Sequence, residues 1–305
     1  MEMLPRKAIL SLADSRQVTR FVTRYGKAFG AGRFVAGATL QEGLEAVRRL
    51  NSEGLLATLD NLGESVRDAA MAQAARDIYL EMLDAIRAHG LDCNVSVKLT
   101  QLGLDIDRDL CLENLRALVE RARQYGNFVR IDMEDSRHTE ATVEIFRQMR
   151  QRYDQVGLVL QAYLYRTEKD LESLAPLRPN LRLCKGAYNE PPDVAFPARA
   201  RVDENFRRLI VRLLELGGYA AIATHNEQII GFAKDYVARH SIPRDRFEFQ
   251  MLYGIRPALQ KSLAGEGYRV RVYVPFGTQW YPYLMRRLAE RPANLWFVLS
   301  NALKR

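Results

Sequence analysis

The stretch Tyr273-Val-Pro-Phe-Gly277 closes a strand and opens a turn. The β-branched residues within 270–274 predict the strand, because side chains branched at Cβ pack well on a pleated surface. Pro275 is predicted to end it, since proline donates no hydrogen bond to a central ladder, and Gly277 permits the turn that follows. The stretch therefore takes the chain from a strand directly towards a helix.

That helix is predicted from Tyr283-Leu-Met-Arg-Arg-Leu-Ala-Glu290. Tyr283, Arg286, Arg287 and Glu290 lie on one face, because they are spaced i, i+3, i+4 and i+7. Two guanidinium groups beside a phenol suit a small carboxylate, since arginine offers a rigid two-pronged donor. A solvated basic face paired with Glu290 explains the same spacing.

Working outward from this unit, a strand followed by a helix recurs eight times. The predicted strands cover residues 55–59, 95–99, 128–133, 156–164, 181–184, 220–223, 247–252 and 268–274. The helices cover residues 66–89, 109–125, a stretch after 138, 169–174, 198–216, 227–239, 256–264 and 283–290. The strands are short and largely apolar, as strands covered on both faces are. Eight such units predict a TIM-like (β/α)8 barrel, an apolar barrel capped by a ring of polar side chains.

The first fifty residues lack this alternation. They predict an N-terminal helical segment over residues 1–50, ahead of a barrel over residues 51–305. Thr39 and Glu42 have the spacing of a capping box at the start of one of its helices. Gly30-Ala-Gly32 lacks the third glycine and the preceding strand of a dinucleotide-binding motif, so that interpretation is rejected.

Composition limits the class of protein. The chain has 305 residues, of which 48% are hydrophobic and 27% charged, typical of a globular protein. Lys and Arg exceed Asp and Glu by 45 − 37 = 8, but no basic run indicates a nucleic-acid partner. Three cysteines without metal-ligand spacing predict free thiols in a reducing cytoplasm and no metal site. No stretch has the length and apolar content of a signal peptide or membrane span, so a soluble protein is expected.

The functional groups of a TIM barrel lie where its strands end. Polar residues at those positions are Asp60, Lys98, Asp132, Glu134, Gln161, Arg182, Lys185, Tyr188, Thr224, His225, Asn226, Gln250 and Tyr273. Lys98 follows an apolar run and needs a partner, for which Asp132 on the next strand is predicted. The pair is a structural ion pair, or Lys98 orients a ligand, or it acts as a Schiff-base nucleophile.

Other members of the ring have simpler alternatives. The stretch Arg182-Leu-Cys-Lys-Gly-Ala-Tyr188 combines two cations with a glycine that lets the backbone approach an anionic ligand, or it is a strand end with solvated cations. One residue of Thr224-His225-Asn226 could be a helix N-cap. Asp60 and Glu134 could cap helices or pair with cations. Gln161 and Gln250 are candidate specificity hydrogen bonders.

Taken alone, the ring suits a phosphate-bearing organic cofactor and a small carboxylate. Two rival functions remain open. One is a cofactor-free lyase that uses Lys98 as a Schiff-base amine. The other is a basic barrel that binds an anionic partner and performs no catalysis.

The residues at these strand ends also form a set of motifs in a fixed order. They are Val95-Ser-Val-Lys-Leu99, Arg130-Ile-Asp-Met-Glu134, Gln161-Ala-Tyr163, Arg182-Leu-Cys-Lys-Gly-Ala-Tyr188, Ala223-Thr-His-Asn226, Phe247-Glu-Phe-Gln-Met-Leu252, Val272-Tyr-Val-Pro-Phe-Gly277 and Tyr283-Leu-Met-Arg-Arg-Leu-Ala-Glu290. In this order, from about residue 50 onwards, the chain resembles the proline dehydrogenase family in its monofunctional bacterial form. The resemblance implies a distorted barrel that holds FAD without a Rossmann domain, with the last helix over the mouth.

The resemblance also implies roles for individual residues. The carboxylate of proline would bind Arg286 and Arg287, and Tyr273, Tyr283, Ala187 and Tyr188 would shape the pocket around its ring. Lys98 and Asp132 would lie beside the substrate and the flavin, with Lys98, Asp132 and Tyr273 as the catalytic group. The implied FAD-binding residues are Asp132, Met133, Gln161, Arg182, Lys185, Gly186, Ala187, Tyr188, Thr224, His225, Asn226, Gln250 and Glu290, the last also pairing with the arginine helix.

The implied reaction moves a hydride from proline C5 to flavin N5 and gives Δ1-pyrroline-5-carboxylate, the first step of proline catabolism. The family passes the electrons to a membrane quinone, so a cytoplasmic protein in reversible contact with the inner membrane face is hypothesised. A separate pyrroline-5-carboxylate dehydrogenase would take the product. The aldehyde dehydrogenase and DNA-binding motifs of larger bifunctional relatives are not found, and neither activity is expected. The stretch Thr278-Gln-Trp-Tyr-Pro282 is shorter than its counterpart in those relatives.

Overall fold

A computed structural model describes residues 33–63 and 66–290, with the side chains of 288–290 left outside the described part. The N-terminal helices expected before residue 33 also lie outside it. The described strands are β1 Leu56–Asn61, β2 Cys93–Val97, β3 Val129–Ile131, β4 Val156–Gln161, β5 Asn180–Cys184, β6 Tyr219–Ala223, β7 Phe247–Leu252 and β8 Val270–Phe276. They pair in parallel in sequence order, and β8 pairs with β1 to close the barrel. The predicted (β/α)8 barrel is confirmed.

The described helices surround this barrel. They are α1 Leu40–Ser52, α2 Ala69–Ala88, α3 Arg108–Gln124, α4 Ser136–Arg150, α5 Thr167–Leu174, α6 Arg199–Glu215, α7 Glu227–Arg239, α8 Pro257–Gly265 and α9 Tyr281–Glu290. Thr39 and Glu42 form the predicted capping box at the start of α1. Among the described helices, none has the length and apolar composition needed to cross a bilayer.

The first described helix takes the place on the barrel wall that the helix after β8 has in a regular (β/α)8 barrel, and the last helix lies over the mouth, as the resemblance implies. α1 packs against the outer side of β1 and β8, with Gly43 close to Leu59 and Phe276. α9 follows β8 but lies over the barrel mouth. Its aromatic and apolar residues form a cluster with Phe34, Val35 and Leu62, and Tyr273 packs against that cluster. The face of α9 that carries the arginines is thereby held next to the strand ends.

Several strand boundaries differ from the prediction by one to three residues, and the ends of β8 and β4 are two of them. The prediction that Pro275 ends the last strand is wrong, because β8 runs on to Phe276 and Pro275 is paired in register with Asp60. The proline carbonyl remains an acceptor and takes a hydrogen bond of 2.8 Å from the Ala36 N–H. β4 ends at Gln161 rather than at residue 164. Beyond it the chain turns to pair with the loop after β5, through an antiparallel bridge between Leu164 and Ala195.

The interior of the barrel is polar, and the prediction of an apolar barrel is wrong. Alternate residues on each strand face opposite sides, so one set packs against the helices and the other points inward. The outward set is apolar, as with Val95 and Val97 on β2. The inward set bonds across the barrel, since Arg182 on β5 reaches Ser96 on β2. In the sequence each polar residue stands alone between apolar, outward-facing neighbours. The sequence therefore predicts strands that are apolar throughout.

Candidate active site

Lys98 lies at the end of β2, 7% exposed, with its Nζ 3.2 Å from both carboxylate oxygens of Asp60 at the end of β1. The prediction that Lys98 pairs with Asp132 is wrong. β2 lies between β1 and β3, and each of these strands has an aspartate near its end. Lys98 contacts Asp60 of β1 and not Asp132, which follows β3. The alternative that Asp60 pairs with a cation is confirmed. Asp60 is fully buried, and Lys98 supplies the opposite charge beside its carboxylate.

Asp132 belongs to a second ion pair. Its Oδ1 accepts hydrogen bonds from Arg182 Nη1 at 2.7 Å and from Ser96 Oγ at 2.9 Å. Its Oδ2 accepts one from the Tyr273 hydroxyl at 3.0 Å, and the Arg182 guanidinium lies 5.3 Å from the centre of the Tyr273 ring. Burial, with the charges of Asp132 and Asp60, raises the pKa of Tyr273 well above its usual value. Tyr273 is therefore a hydrogen-bond donor, and the three predicted residues Asp132, Arg182 and Tyr273 form one connected group.

This group continues down the barrel. Arg182 Nε donates to the Gln250 side-chain oxygen, and the Gln250 amide donates to Glu248. Glu248 accepts from Arg271 Nε at 2.8 Å and from Arg271 Nη2 at 3.2 Å, and from the Tyr219 hydroxyl at 3.1 Å. Burial alone would raise the pKa of Glu248, but Arg271 outweighs it and, with Gln250 and the more distant Arg130, lowers the pKa to about 2. Glu248 thus remains charged inside the barrel.

Glu134, two residues beyond Asp132, has a different environment. Its carboxylate accepts from the Thr100 N–H at 3.1 Å and the Thr100 hydroxyl at 2.6 Å. Burial raises the pKa of Glu134, and the two Thr100 hydrogen bonds oppose that rise. Glu134 therefore fastens the turn after β2 to the end of β3.

The arginines of α9 point at aromatic side chains near the mouth. The Arg286 guanidinium lies 5.8 Å from the centre of the Tyr188 ring, and that of Arg287 lies 5.3 Å from the Tyr283 ring. Tyr188 belongs to the loop after β5, so this contact joins that loop to α9. The predicted pairing of Glu290 lies outside the described side chains.

The loop after β5 is held tightly at its base. Gly186 has φ +105, and a Cβ there would lie 2.2 Å from the Tyr163 ring, so glycine is required for both reasons. Further along, Glu190 accepts from the Ser136 N–H at 2.8 Å and from its hydroxyl at 2.5 Å. These contacts fix the loop that carries Ala187 and Tyr188.

A cluster of polar side chains lies where β5 and β6 end. Lys185 forms an ion pair with Asp203 of α6, and the Asn226 amide donates to Asp203 at 3.4 Å. The suggestion that one of these residues is an N-cap is confirmed for Asn226, whose side-chain oxygen accepts from the Gln228 N–H at the start of α7. His225 Nε2 accepts from the Leu252 N–H at 2.9 Å, which places the proton of a neutral ring on Nδ1. Lys185 and the positive end of α7 together suit a phosphate.

Two buried polar atoms in this region have no hydrogen-bond partner among the described residues. They are Arg182 Nη2 and Gln161 Oε1, one a donor and one an acceptor. The Gln161 amide nitrogen is 3.4 Å from the Met133 carbonyl. Leaving a buried polar atom unpaired costs about 1–3 kcal/mol. A planar group with both hydrogen-bond donors and acceptors, such as an isoalloxazine ring, fits this pair of atoms, so the residues present are suited to a flavin.

The residues that the structure describes lack the features of a metal centre. Within residues 33–63 and 66–290, no group of three or more His, Cys, Asp or Glu side chains is arranged to hold a metal ion. Cys93, Cys111 and Cys184 are free, as predicted. Burial raises the pKa of both the Cys93 and the Cys111 thiols to about 12, so neither is a ready thiolate.

Comparisons with known proteins agree with this geometry. A family model described as proline dehydrogenase matches residues 43–299. The chain is 49% identical over 300 residues to Proline dehydrogenase 1 of Bacillus subtilis (strain 168), covering 98% of this chain and 99% of that protein.

The chain belongs to the proline dehydrogenase family. It is accordingly an oxidoreductase. It is also 44% identical over 310 residues to the proline dehydrogenase of Deinococcus radiodurans, covering 100% of this chain and 99% of that protein. The crystal structure of proline utilization A from Bdellovibrio bacteriovorus inactivated by N-propargylglycine has a TM-score of 0.81 and 26% identity. That match covers 89% of this chain and 33% of the other, so the chain spans about a third of that protein.

Sequence reasoning missed several polar residues that support this proline dehydrogenase site. They are Ser96, Glu248 and Arg271 inside the barrel, Asp203 beside Lys185, and Tyr79 and Gln101 beside Asp60. The first three share the two-residue spacing of predicted site residues: Ser96 precedes Lys98, Glu248 precedes Gln250, and Arg271 precedes Tyr273. That spacing could have identified them. No comparable pattern marks Tyr79, which lies on a helix.

The pH dependence of stability should identify Glu248 as a buried charge. A carboxylate with a lowered pKa stabilises the fold above about pH 4.5, and this contribution is lost as pH falls towards 2. The shift of about 2.5 pH units corresponds to about 3 kcal/mol of unfolding free energy. Glu248→Gln should destabilise the protein at pH 7, because Arg271 loses its charge partner. It should also lose less stability than wild type between pH 5 and pH 3.

Urea unfolding at both pH values measures this difference. Glu45→Gln, which changes an exposed carboxylate on α1, is the control and should behave as wild type. An acid dependence of Glu248→Gln equal to that of wild type would contradict the assignment.

Proposed function

We propose that this chain is an FAD-dependent proline dehydrogenase that oxidises L-proline to Δ1-pyrroline-5-carboxylate. The observation that carries the proposal is the arrangement at the barrel mouth. α9 holds Arg286 and Arg287 over strand ends that bear the Lys98–Asp60 and Asp132–Arg182 pairs. The relatives named proline dehydrogenase cover nearly the whole chain. This arrangement supports a small zwitterion bound between two arginines and a buried polar floor.

Each group of side chains would have a defined task in this reaction. Arg286 and Arg287 would bind the proline carboxylate with their planar donors. Tyr188, Tyr273 and Tyr283 would enclose the ring and exclude water, while Lys98 and Asp132 would orient the substrate. The amine would release a proton to solvent, and the C5–H bond would break with its electron pair leaving as a hydride while the nitrogen lone pair forms a double bond to C5. Holding the substrate in one orientation is the main contribution of the protein to the rate.

The residues named for FAD fall into two groups. The first group includes the two residues with unpaired atoms and their neighbours, and it would hold the ring system. Its members are Asp132, Met133, Gln161, Arg182 and Gln250. The second group lies on the loops after β5 and β6 and would hold the ribityl chain and the phosphates. Its members are Lys185, Gly186, Ala187, Tyr188, Thr224, His225 and Asn226. Glu290 on α9 is assigned to the same cofactor. Bound FAD would supply a two-electron acceptor that takes the hydride at N5.

The rival lyase function fits the contacts of Lys98 less well. An amine must be neutral to attack a carbonyl. A carboxylate that contacts the nitrogen through both oxygens favours the charged ammonium form instead. The position of Lys98 therefore supports substrate orientation over Schiff-base formation.

An absorption spectrum of the purified protein tests the proposed function. We expect a yellow protein whose flavin bands bleach when L-proline is added without oxygen, because the flavin becomes reduced. A yellow protein that does not bleach would exclude proline as the substrate. A colourless protein that cannot be reconstituted with FAD, and that borohydride traps with a carbonyl compound, would favour the lyase.

Replacing one arginine of α9 tests the carboxylate site. Arg286→Met should weaken proline binding by about 2–5 kcal/mol, by analogy with breaking a desolvated charge pair. The loss should appear mainly in KM. Arg239→Met on α7 removes an exposed arginine and is the matched control. A wild-type KM for Arg286→Met would show that the carboxylate binds elsewhere.

We also propose that the electrons pass to a membrane quinone, with the product taken by a separate pyrroline-5-carboxylate dehydrogenase. The protein would be cytoplasmic and would contact the inner membrane face reversibly. The excess of eight positive charges is compatible with that contact. Liposomes containing anionic lipid should carry the protein upwards in a flotation gradient, more strongly after proline is added. No association in either state would contradict the membrane part of this proposal.

A further inference from the structure

Behind the Lys98–Asp60 pair lies a buried polar group to which the proposed reaction assigns no task. Tyr79 of α2 is fully buried and Gln101, in the turn after β2, is 3% exposed. The Tyr79 hydroxyl lies 3.2 Å from Asp60 Oδ1, 3.2 Å from Gln101 Oε1 and 3.4 Å from the Asn61 carbonyl. These residues connect the wall of the barrel to the cation at its mouth.

The number of protons in this group is smaller than the number of acceptors. A phenol has one proton, yet three oxygens lie within hydrogen-bonding distance of the Tyr79 hydroxyl. Burial, and next the charge of Asp60, raise the pKa of Tyr79 well above its usual value, so the proton stays on the phenol. Because hydrogen bonds to charged groups are stronger, an ionised Asp60 takes the proton in preference to Gln101.

Gln101 is fixed in place as the competing acceptor. Its amide nitrogen donates to the Asn61 carbonyl at 3.2 Å, and this turns its oxygen towards the phenol. A Cβ on Gly63 would lie 2.8 Å from that amide nitrogen, so the amide packs directly against the backbone after β1. Gln101 also lies only three residues after Lys98, in a turn closed by the hydrogen bond from the Leu102 N–H to the Lys98 carbonyl.

We propose that Tyr79 and Gln101 are positioning residues that hold Asp60, and through it Lys98, and set the proton affinity of that pair during proline oxidation. The inference rests on the proposed function, which places Lys98 beside the substrate. When Asp60 is ionised, Tyr79 donates to it. When the pair holds an additional proton on Asp60, Asp60 donates to the phenol oxygen and the phenol donates to Gln101. The carboxylate of Asp60 thus keeps a hydrogen bond to the phenol in both protonation states, and Gln101 accepts the phenol proton only in the second, so the pair can change its charge without moving Lys98.

The charged and titratable neighbours agree with this assignment. Asp60 on β1 faces Lys98 just after β2, Tyr79 on α2 and Tyr273 on β8. Tyr79 is influenced by the charges of Asp60 and, more weakly, of Asp132 after β3. The Asp132 carboxylate is held by Arg182, Ser96 and Tyr273. Tyr79 is therefore the neutral donor to Asp60 that comes from outside the barrel, and the pH response of the Lys98–Asp60 pair should be sensitive to it.

The test compares the pH profiles of kcat/KM for wild type, Tyr79→Phe and Gln101→Met in the flavin-loaded enzyme. Tyr79→Phe removes the phenol that donates to Asp60 from α2 and leaves the Lys98 contacts in place, which raises the proton affinity of the pair. Its apparent pKa should rise by about one pH unit, and kcat should fall about tenfold with little change in KM. Gln101→Met removes the competing acceptor and leaves the phenol proton to Asp60, so the apparent pKa should move in the opposite direction.

Tyr125→Phe is the matched control. The Tyr125 hydroxyl donates to Asp84 at 2.8 Å, which is also a tyrosine–aspartate hydrogen bond but lies away from the barrel mouth. This variant should keep the wild-type profile. Binding of a saturated five-membered-ring carboxylate without an amine, followed through the flavin spectrum, should be unchanged in all three variants, because it reports the arginine site alone.

The outcomes separate the inference from the proposed function. A wild-type protein that does not oxidise proline overturns both. An active wild type with unshifted pH profiles in Tyr79→Phe and Gln101→Met overturns the inference alone, even if kcat falls, because a purely structural role predicts that result. If Tyr79→Phe does not fold, the opposite shift expected of Gln101→Met still decides the question.

Discussion

The need to pair charges buried inside the barrel governs this structure. Four charged side chains project into the barrel, where an unpaired charge would be strongly destabilising. They are Asp132 just after β3, Arg182 on β5, Glu248 on β7 and Arg271 on β8. Each carboxylate is therefore met by a guanidinium, and Gln250 bridges the two pairs. The pairs join residues far apart in sequence, so they form only when the strands align in one register. A polar interior thus specifies the alignment of the barrel as well as the chemistry at its mouth.

The positions of α1 and α9 explain how cationic side chains come to lie over this interior. In a regular barrel the helix after β8 would cover the outer side of β8 and β1. α1 covers it instead, and α9 is free to lie over the mouth. The hydrogen bond from the Ala36 N–H to the Pro275 carbonyl connects the chain before α1 to the end of β8. Consequently, α9 packs against the segment that precedes α1. Its arginines are placed by that packing and by the contact of Arg286 with Tyr188 in the loop after β5.

The sequence predicted the order of elements well because the apolar outward faces and the terminating glycines are local properties. Helix α7 and strand β7 were predicted to the residue, at Glu227–Arg239 and Phe247–Leu252. The polar interior was not predicted, since Ser96 or Arg130 inside a strand looks like a single interruption of an apolar run. The choice between Asp60 and Asp132 as the partner of Lys98 also depends on geometry, because both flank β2. The contact of Tyr79 with Asp60 could not be predicted, because the spacing of apolar residues on a helix does not show which buried residue reaches a particular strand end.

The separation of the two ion pairs at the mouth has a chemical consequence. Lys98 and Asp60 bond to each other, and Asp60 is connected outward to α2 through Tyr79. Asp132 and Arg182 bond inward to the barrel, where Gln250 and Glu248 fix them. In the assignment proposed above, Tyr79 and Gln101 compensate a proton gained or lost at the first pair. The second pair is instead connected through Gln250 to Glu248, whose pKa Arg271 lowers to about 2 against the effect of burial. The proposed oxidation of proline moves a proton and a hydride from neighbouring atoms. Such a division would let the side near the hydride acceptor keep its electrostatic field while the side near the amine changes charge.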